Sequence, residues 1–268
     1  MRHALILTLC VCAAPVFAEQ IQPDALADLR ADVVILGEVH DNPVHHAHQA
    51  QAVAALAPTA LVFEMLTPDQ AALVTEANRG DAAALAAALD WEASGWPDFA
   101  MYHPIFTAAP QAKVYGAALP RDEVRRAVGE GAAAILGSDA ERFGLTAPLP
   151  AAEQAEREAE QMEAHCNAMP ADLMPGMVEA QRLRDAALAR AAVQAMAETG
   201  GPVAVIAGSG HARRDWGIPA ALAVAAPEMS VLSVGQIEAE GAAEPDQPFD
   251  MWLVTEPTPR EDPCAAFN

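Results

Sequence analysis

Four acidic and imidazole side chains are placed where they could share one chemical site. Glu38 and His40 lie in a Gly-x-x-His tetrapeptide that begins where the first apolar run ends. A second apolar run carries Glu64 near its end, and a later run leads into a second Gly-x-x-His that ends at His211. Such a set can hold a divalent metal while an acid activates water, and its residue types suit Zn or Mn without selecting between them.

The positions of these groups depend on short apolar runs, which we interpret as buried strands. The runs are Val33–Gly37, Ala60–Met65, Lys113–Gly116, Val203–Gly208, Ser230–Gly235 and Met251–Thr255. Most are apolar at successive positions, which is typical of strands covered on both faces in a parallel sheet. Ligands bind at the carboxyl edge of such a sheet, so we expect the polar groups there to line one cavity. These groups are Glu38, His40, Glu64, Arg121 and His211.

Helical stretches lie between the apolar runs, and the alternation predicts an α/β fold with a mainly parallel β-sheet flanked by helices. The predicted helices are Val44–Leu56, Pro68–Leu89, Asp185–Glu198 and Ile218–Ala225. From Arg121 to about Ala197 the chain has no strand signal and is rich in strong helix formers. We interpret residues 122–197, approximately, as a small helical subdomain inserted in an α/β domain that spans residues 19–268.

The amino-terminal residues have the pattern of a signal peptide. A short basic start precedes an apolar run too short to span a bilayer, and small residues stand before a cleavage site after Ala18. We therefore predict a signal peptide over residues 1–18 and an exported protein, periplasmic or secreted. No later run is long enough for a transmembrane segment. The formal net charge of −22 repels nucleic acid and anionic membrane surfaces, so neither is an expected partner.

Cleavage after Ala18 leaves two cysteines, Cys166 and Cys264, in an oxidising compartment. Unpaired thiols are disfavoured there, so we predict an intramolecular disulfide that anchors the carboxyl-terminal tail to the helical subdomain. Cα atoms more than about 7 Å apart would exclude this bridge. In that case Cys166 would be considered together with His165 as a pair of ligands.

Several short motifs give the chain a resemblance to a known family. They are Gly37-Glu38-Val39-His40-Asp41-Asn42-Pro43, Glu64, Leu119-Pro120-Arg121, Ala180-Gln181-x-x-Arg184-Asp185 and Gly208-Ser209-Gly210-His211-Ala212-Arg213. From about Asp32 to Pro219 the sequence resembles the ChaN family of haem-binding uptake proteins in the Tiki/TraB-related superfamily. The resemblance implies an α/β domain with a small helical subdomain, and haem held between the two subunits of a homodimer. It also implies a tyrosine as iron ligand, with histidine and basic groups near the haem propionates.

The chain has two tyrosines that could be the iron ligand implied by the resemblance. Tyr115 lies inside a strand run and is assigned to the core. Tyr102 lies in a predicted aromatic loop, Trp96–His103, which could stack on a flat macrocycle or could be ordinary packing. The candidate haem-binding residues are Glu38, His40, Glu64, Tyr102, Arg121, His211 and Arg213.

The first functional interpretation is an exported haem-binding protein of iron and haem uptake or haem handling, which binds its ligand and is not a catalyst. The alternative is a metal-dependent hydrolase, either a protease or an esterase. Other members of the superfamily resemble such enzymes. Its metal ligands would be Glu38, His40, Glu64 and His211. A third interpretation is a scaffold that has lost both functions. Without any function, the same charged groups would form an ion-pair network at the sheet edge.

Overall fold

The structure, a computed structural model, describes residues 18–265. At its centre is a seven-stranded sheet in which every neighbouring pair of strands is parallel. The strands are β1 (Glu19–Gln20), β2 (Val33–Glu38), β3 (Ala60–Phe63), β4 (Lys113–Gly116), β5 (Val203–Gly208), β6 (Val231–Glu238) and β7 (Met251–Thr255). Their order across the sheet is β1-β7-β6-β2-β5-β3-β4. The predicted α/β fold with a mainly parallel sheet is confirmed.

Helices connect most of the strands and cover both faces of the sheet. In the described part of the chain the α-helices are α1 (Pro43–Leu56), α2 (Pro68–Ala71), α3 (Glu76–Arg79), α4 (Ala82–Ala88), α5 (Trp91–Ser94), α6 (Phe99–Ala108), α7 (Arg121–Glu130), α8 (Ala132–Leu136), α9 (Ala151–Ala164), α10 (Met174–Thr199), α11 (Ser209–Ala212) and α12 (Ile218–Ala225). Short 3-10 helices span Pro23–Asp28, Gly137–Asp139 and Ala171–Leu173. Parallel strands need such crossover connections because a tight hairpin can join only antiparallel strands.

Two hydrophobic clusters lie on opposite faces of the sheet. Val33 and Ile35 of β2 belong to one cluster, together with buried residues of α10 and α12. Val34 and Leu36 belong to the other, together with buried residues of α1 and α6. Successive side chains of a strand point to opposite faces, so burial on both sides requires the uninterrupted apolar run of β2. Polar groups can therefore follow such a strand only beyond its apolar run, at the carboxyl edge.

The bounds of β4, β5, β7 and α12 agree with the sequence prediction, whereas β1 and the stretch after β3 differ from it. The two residues of β1 are exposed and become a strand only by pairing with β7. The predicted helix Pro68–Leu89 is three short helices, α2, α3 and α4. Each has its own N-cap, in which the side chain of Thr67, Thr75 or Asp81 accepts backbone N–H groups.

Residues 121–199 contain helices α7 to α10 and no strand. α10 begins at Met174, well before the predicted start at Asp185. Pro175 lies in the first turn of α10, where the missing N–H of a proline leaves no helical hydrogen bond unmade. Buried residues of α10 pack against the sheet, whereas α9 packs on α10 and buries one residue, Arg157. α10 thus covers the sheet and α9 lies outside it.

A disulfide joins Cys166 to Cys264, with the two Cα atoms 5.4 Å apart. The predicted bridge is confirmed, so Cys166 is not half of a ligand pair with His165. Because Cys166 follows α9, the bridge ties the tail of the chain to the end of that helix. The tail is also held at the sheet edge, where Arg260 lies 2.7 Å from a carboxylate oxygen of Asp41.

The prediction of a signal peptide over residues 1–18 falls outside the described residues, apart from Ala18. Its cleavage after Ala18 stays a prediction. Within residues 18–265, no helix is both long enough and apolar enough to cross a membrane.

Candidate functional site

The first half of the candidate site is built on the end of β2. Glu38, the last residue of that strand, is buried, and its Oε1 accepts a hydrogen bond of 2.8 Å from the Tyr102 hydroxyl. The Nδ1 atom of His40 lies 2.7 Å from the same oxygen. A carboxylate can only accept hydrogen bonds, so His40 donates from Nδ1, and its Nε2 carries the lone pair of the neutral ring. Glu38 therefore sets the tautomer of His40.

Burial and the neighbouring carboxylate keep Tyr102 protonated. Its side chain is fully buried in α6, and its ring packs on His46 and Trp91, with centroids 4.2 and 4.9 Å away. Burial raises the pKa of Tyr102 far above its ordinary value, and the charge of Glu38 raises it further. The hydroxyl thus acts as a hydrogen-bond donor that holds Glu38 in place.

The second half is built on the ends of β3 and β5. Glu64 follows β3, and its Oε2 accepts the backbone N–H of Gly208 at 2.8 Å. Its Oε1 lies 3.4 Å from Nε2 of His211, whose Nδ1 lies 2.6 Å from Oδ1 of Asp185 on α10. The His211 ring is therefore placed between two carboxylates, one from the sheet edge and one from the helix that covers the sheet.

The two carboxylates determine the charge of His211. Burial disfavours its charged form, but the attraction of Glu64 and Asp185 outweighs burial and raises the pKa of His211 to about 10. Burial likewise opposes ionisation of Glu64, yet His211 lowers the pKa of Glu64 to about 2. For Asp185 burial is the larger effect, and its pKa is raised despite His211. At neutral pH the Glu64–His211 contact is an ion pair.

The two halves meet between His40 and Glu64. The Nε2 atom of His40 lies 4.0 Å from Oε2 of Glu64, beyond hydrogen-bond distance. Burial lowers the pKa of His40, but the hydrogen bond to Glu38 and the charge of Glu64 together raise it. The indole of Trp96 packs edge-on against the imidazole, with ring centroids 4.8 Å apart. The result is a continuous polar cluster along the carboxyl edge with an aromatic side chain at one end.

A pocket of about 210 Å³ opens beside His211, between α9, α10 and α11. Arg157, Gln161 and Trp216 contribute to its wall, with Asp185 on the α10 side. The Nη2 atom of Arg157 lies 3.9 Å from Oδ2 of Asp185, so the charge of this acid is offset from two sides. α9, which packs on α10, therefore forms one wall of the pocket.

The structure brings four of the predicted site residues together: Glu38, His40, Glu64 and His211. Tyr102 joins them through Glu38, but it lies buried in a helix and not in a loop. Within residues 18–265, no hydrogen bond or ion pair joins Arg121 or Arg213 to these four side chains. Arg121 is exposed, and its Nη2 donates to the carbonyl oxygen of Ser94 at 3.1 Å. Arg213 is paired with acids at two positions and stacks on an indole: Glu160 at 3.1 Å, Asp215 at 2.7 Å and the Trp216 ring centroid at 3.7 Å.

Two residues of the cluster, Asp185 and Arg157, are not among the predicted site residues because they come from helices. Asp185 nevertheless has a recognisable signal in the sequence. It shares a helical face with Leu188, Ala189 and Ala192, all buried, so an acid interrupts an apolar stripe. A buried acid needs a partner, and here the partners are His211 and Arg157. Arg157 has no comparable signal, because its neighbours on α9 are mostly polar and exposed.

The divalent-metal alternative finds no support in this geometry. Across residues 18–265, no group of three or more His, Cys, Asp or Glu side chains is arranged to hold a metal ion. The four predicted ligands lie near one another, but Glu38 is turned towards Tyr102 and His40, while His211 is held between two acids.

Fold and site together define an α/β protein with a carboxylate–histidine cluster at the carboxyl edge of a parallel sheet. The sequence profile described as haem-binding uptake, Tiki superfamily, ChaN matches residues 26–222. The chain belongs to this family. The resemblance in the sequence motifs is thereby confirmed for most of the chain.

Two of the solved structures that resemble this one cover most of the chain. The first, described as cofacial heme binding to ChaN of Campylobacter jejuni, has 21% sequence identity and a TM-score of 0.65, over 84% of this chain and 89% of that one. The second, the type III effector HopBA1, has 12% identity and a TM-score of 0.48, over 88% of this chain and 92% of that one. Comparison with curated protein sequences gives no significant match. At 21% identity the first likeness shows the shared fold.

Proposed function

We propose that this protein is an exported haem-binding protein of iron and haem uptake or haem handling, with haem at the carboxyl edge of the sheet. Membership of the haem-binding uptake family supports the ligand. The single observation that carries the location is the half-exposed ring of His40, whose side chain is 35% exposed beside Trp96. A nitrogen ligand and an aromatic surface stand side by side there, at the edge where α/β proteins bind ligands.

The residues around His40 fit the chemistry of haem. When bound, haem supplies a flat apolar macrocycle with one iron and two propionate carboxylates. Trp96 can pack on the macrocycle, and its backbone N–H donates to the Ser94 hydroxyl, which places it next to Arg121. The guanidinium of Arg121 has five N–H donors and gives one to Ser94, so the others are available to a propionate. Arg213 is a weaker candidate, because it already pairs with two acids.

The position of His40 supports a haem that one subunit covers only in part. The pocket of about 210 Å³ beside His211 is lined by residues of α9, α10 and α11 and not by His40 or Trp96, so it does not enclose a haem bound at His40. A haem at this edge would leave much of its macrocycle outside the chain. A second subunit would bury that apolar surface, so the proposed form is a homodimer around haem.

The disulfide supports export. Protein disulfides persist in oxidising compartments, and the Cys166–Cys264 bridge ties the tail to α9. We propose a periplasmic or secreted protein from which residues 1–18 are removed. Mass determination of the protein recovered outside the cytoplasm tests this, with an amino terminus at Glu19 as the expected result.

Titration with hemin tests the proposed function. The wild type should bind hemin saturably, with a shifted Soret band, and should sediment as a dimer when loaded. Arg121→Ala should weaken hemin binding because it removes a cation near the propionates. Arg126→Ala is the matched control, since that arginine lies on the same helix and pairs with Glu130. A wild type without saturable hemin binding would contradict the proposal, and equal effects of the two variants would contradict the role of Arg121.

A further inference from the structure

Neither tyrosine of this chain is placed to reach an iron atom. The sequence has two tyrosines, and both hydroxyls donate to carboxylates. Tyr102 is fully buried and donates to Glu38 at 2.8 Å, and Tyr115 donates to Glu198 at 2.9 Å. Tyr115 is on β4, and its ring belongs to the cluster on the α10 face of the sheet. The iron ligand of a haem at the carboxyl edge must therefore be another side chain.

Most histidines of the described chain are also occupied or lie elsewhere. Both ring nitrogens of three of them have a partner atom at 3.4 Å or less: His45, His46 and His211. Three others each have one nitrogen near an oxygen and stand on α1, on α6 or directly after α9: His48, His103 and His165. His40 differs from all of these because it lies on the loop that leaves a central strand, at the carboxyl edge itself.

The environment of His40 is that of an oriented ligand. Its Nδ1 is held by Glu38, and no hydrogen bond within residues 18–265 involves its Nε2. The space next to Nε2 depends on Gly208, because a Cβ at that position would lie 3.0 Å from this nitrogen. A glycine at 208 therefore keeps Nε2 uncovered, while Glu64 lies on the same side at 4.0 Å.

We propose that Nε2 of His40 would hold the haem iron and that Glu38 is the positioning residue of His40. This inference rests on the proposed haem-binding function. A carboxylate behind a histidine ligand fixes the tautomer and ring orientation and raises the basicity of the coordinating nitrogen. Tyr102 acts one step further back, because its hydroxyl holds the carboxylate that orients the ring. The tyrosine of this chain thus supports the iron ligand and does not replace it.

Resonance Raman spectra of the hemin-loaded, reduced protein test the ligand directly. The wild type should show an iron–histidine stretching band that shifts when histidine is labelled with ¹⁵N. His40→Ala should lose this band and weaken hemin binding. Loss of the residue that orients a ligand costs roughly 10- to 100-fold in affinity, and loss of the ligand itself should cost more. Added imidazole should restore an iron–imidazole band in His40→Ala. His48→Ala, the matched control, should keep the wild-type band.

Two further variants test whether the space at Nε2 and the orientation of the His40 ring are needed for hemin binding. Gly208→Ala should weaken hemin binding by covering Nε2, while its backbone (φ −57°, ψ 146°) suits alanine. Glu38→Gln should keep the band, shift its frequency and weaken hemin binding by about 10- to 100-fold. Hemin binding by the wild type together with an unchanged band in His40→Ala would overturn the assignment, as would loss of iron ligation in Tyr102→Phe. Absence of hemin binding by the wild type would instead overturn the proposed function and the assignment with it.

Discussion

The two Gly-x-x-His tetrapeptides start one residue apart in the register of neighbouring strands and end in different environments. β2 and β5 are paired neighbours, with Glu38 opposite Gly208 in the register. Yet the side chain of His40 is 35% exposed, and that of His211 is 11% exposed between two carboxylates. In the described part of the chain no hydrogen bond involves Nε2 of His40, whose nearest acid is Glu64 at 4.0 Å, whereas both ring nitrogens of His211 lie within 3.4 Å of a carboxylate.

The difference comes from the segment that leaves each strand. α11 begins directly after β5 and carries His211 beneath α10, where Asp185 reaches its Nδ1. α1 begins only at Pro43, so His40 stays on a loop and meets the side chain of Trp96. The same tetrapeptide therefore gives a structural ion pair in one case and an accessible base in the other. The environment of each histidine thus depends on the helix packed over it as well as on the tetrapeptide.

Asp185→Ala should have the largest effect on stability, because it leaves the buried His211 and Arg157 without their shared partner. Removal of one member of a buried ion pair costs about 3–5 kcal/mol. We expect a loss of that order in the free energy of unfolding, measured by urea denaturation. Asp172→Ala is the control, since Asp172 is exposed just before α10. If the free energy of unfolding falls no more than in the control, His211 is not held by a stabilising ion pair, and the proposed difference from His40 is wrong.

The stability of the haem-free protein should also depend on the charge of His211. Its folded-state pKa of about 10 lies above the ordinary value of 6.5. The stabilisation is therefore fully present below pH 6.5 and is lost as the pH rises towards 10. We expect the free energy of unfolding to fall over this range in urea titrations. Glu64→Gln should flatten the curve, and identical slopes in the two proteins would contradict the assigned ion pair.

Tyr102→Phe tests how much the hydrogen bond from Tyr102 to Glu38, the carboxylate that orients His40, contributes to stability. It removes the hydroxyl that donates to Glu38 and leaves a buried carboxylate with one partner fewer, which costs about 1–3 kcal/mol. Tyr115→Phe is the matched control. Its partner Glu198 is accessible to water, which can replace the lost donor, so the effect should be smaller. Equal losses in urea denaturation would show that burial of the Glu38 carboxylate contributes nothing beyond an ordinary hydrogen bond.

Much of the fold could be predicted because parallel strands covered on both faces leave a clear pattern. β5 is six buried residues bounded by Pro202 and Ser209, and both its ends were predictable. α10 was harder, because Pro175 looks like an interruption until it is known to lie in a first helical turn. β1 could not be predicted, since its two exposed residues become a strand only by pairing with a strand far along the chain.

Some contacts of the candidate site could be predicted from the sequence, and others could not. Glu38, His40 and Glu64 could be predicted to meet because the ends of parallel strands lie at one edge. The contact of His211 with Asp185 could not, because it depends on which face of α10 lies over the sheet edge. Nor could the sequence indicate that Tyr102 would point inward to Glu38, since the same aromatic segment would suit a surface that stacks on a ligand.

Arg260→Ala should have the smallest effect, and it tests whether the tail supports only the His40 side. Arg260 makes paired hydrogen bonds to Asp41, one residue after His40, and also bonds Glu238. Exposed ion pairs contribute about 0–1 kcal/mol, so the free energy of unfolding should change little. The ring NMR signals of His40 should nevertheless shift, because its loop loses a support, whereas those of His211 should not.

Arg126→Ala, which removes an exposed ion pair within α7, is the control and should leave both histidine signals unchanged. Equal shifts at both histidines in Arg260→Ala would mean that the sheet edge responds as one unit. The tail would then support the whole cluster, and the contrast between an accessible and an enclosed histidine would rest on side-chain partners alone, without any difference in how the two loops are held.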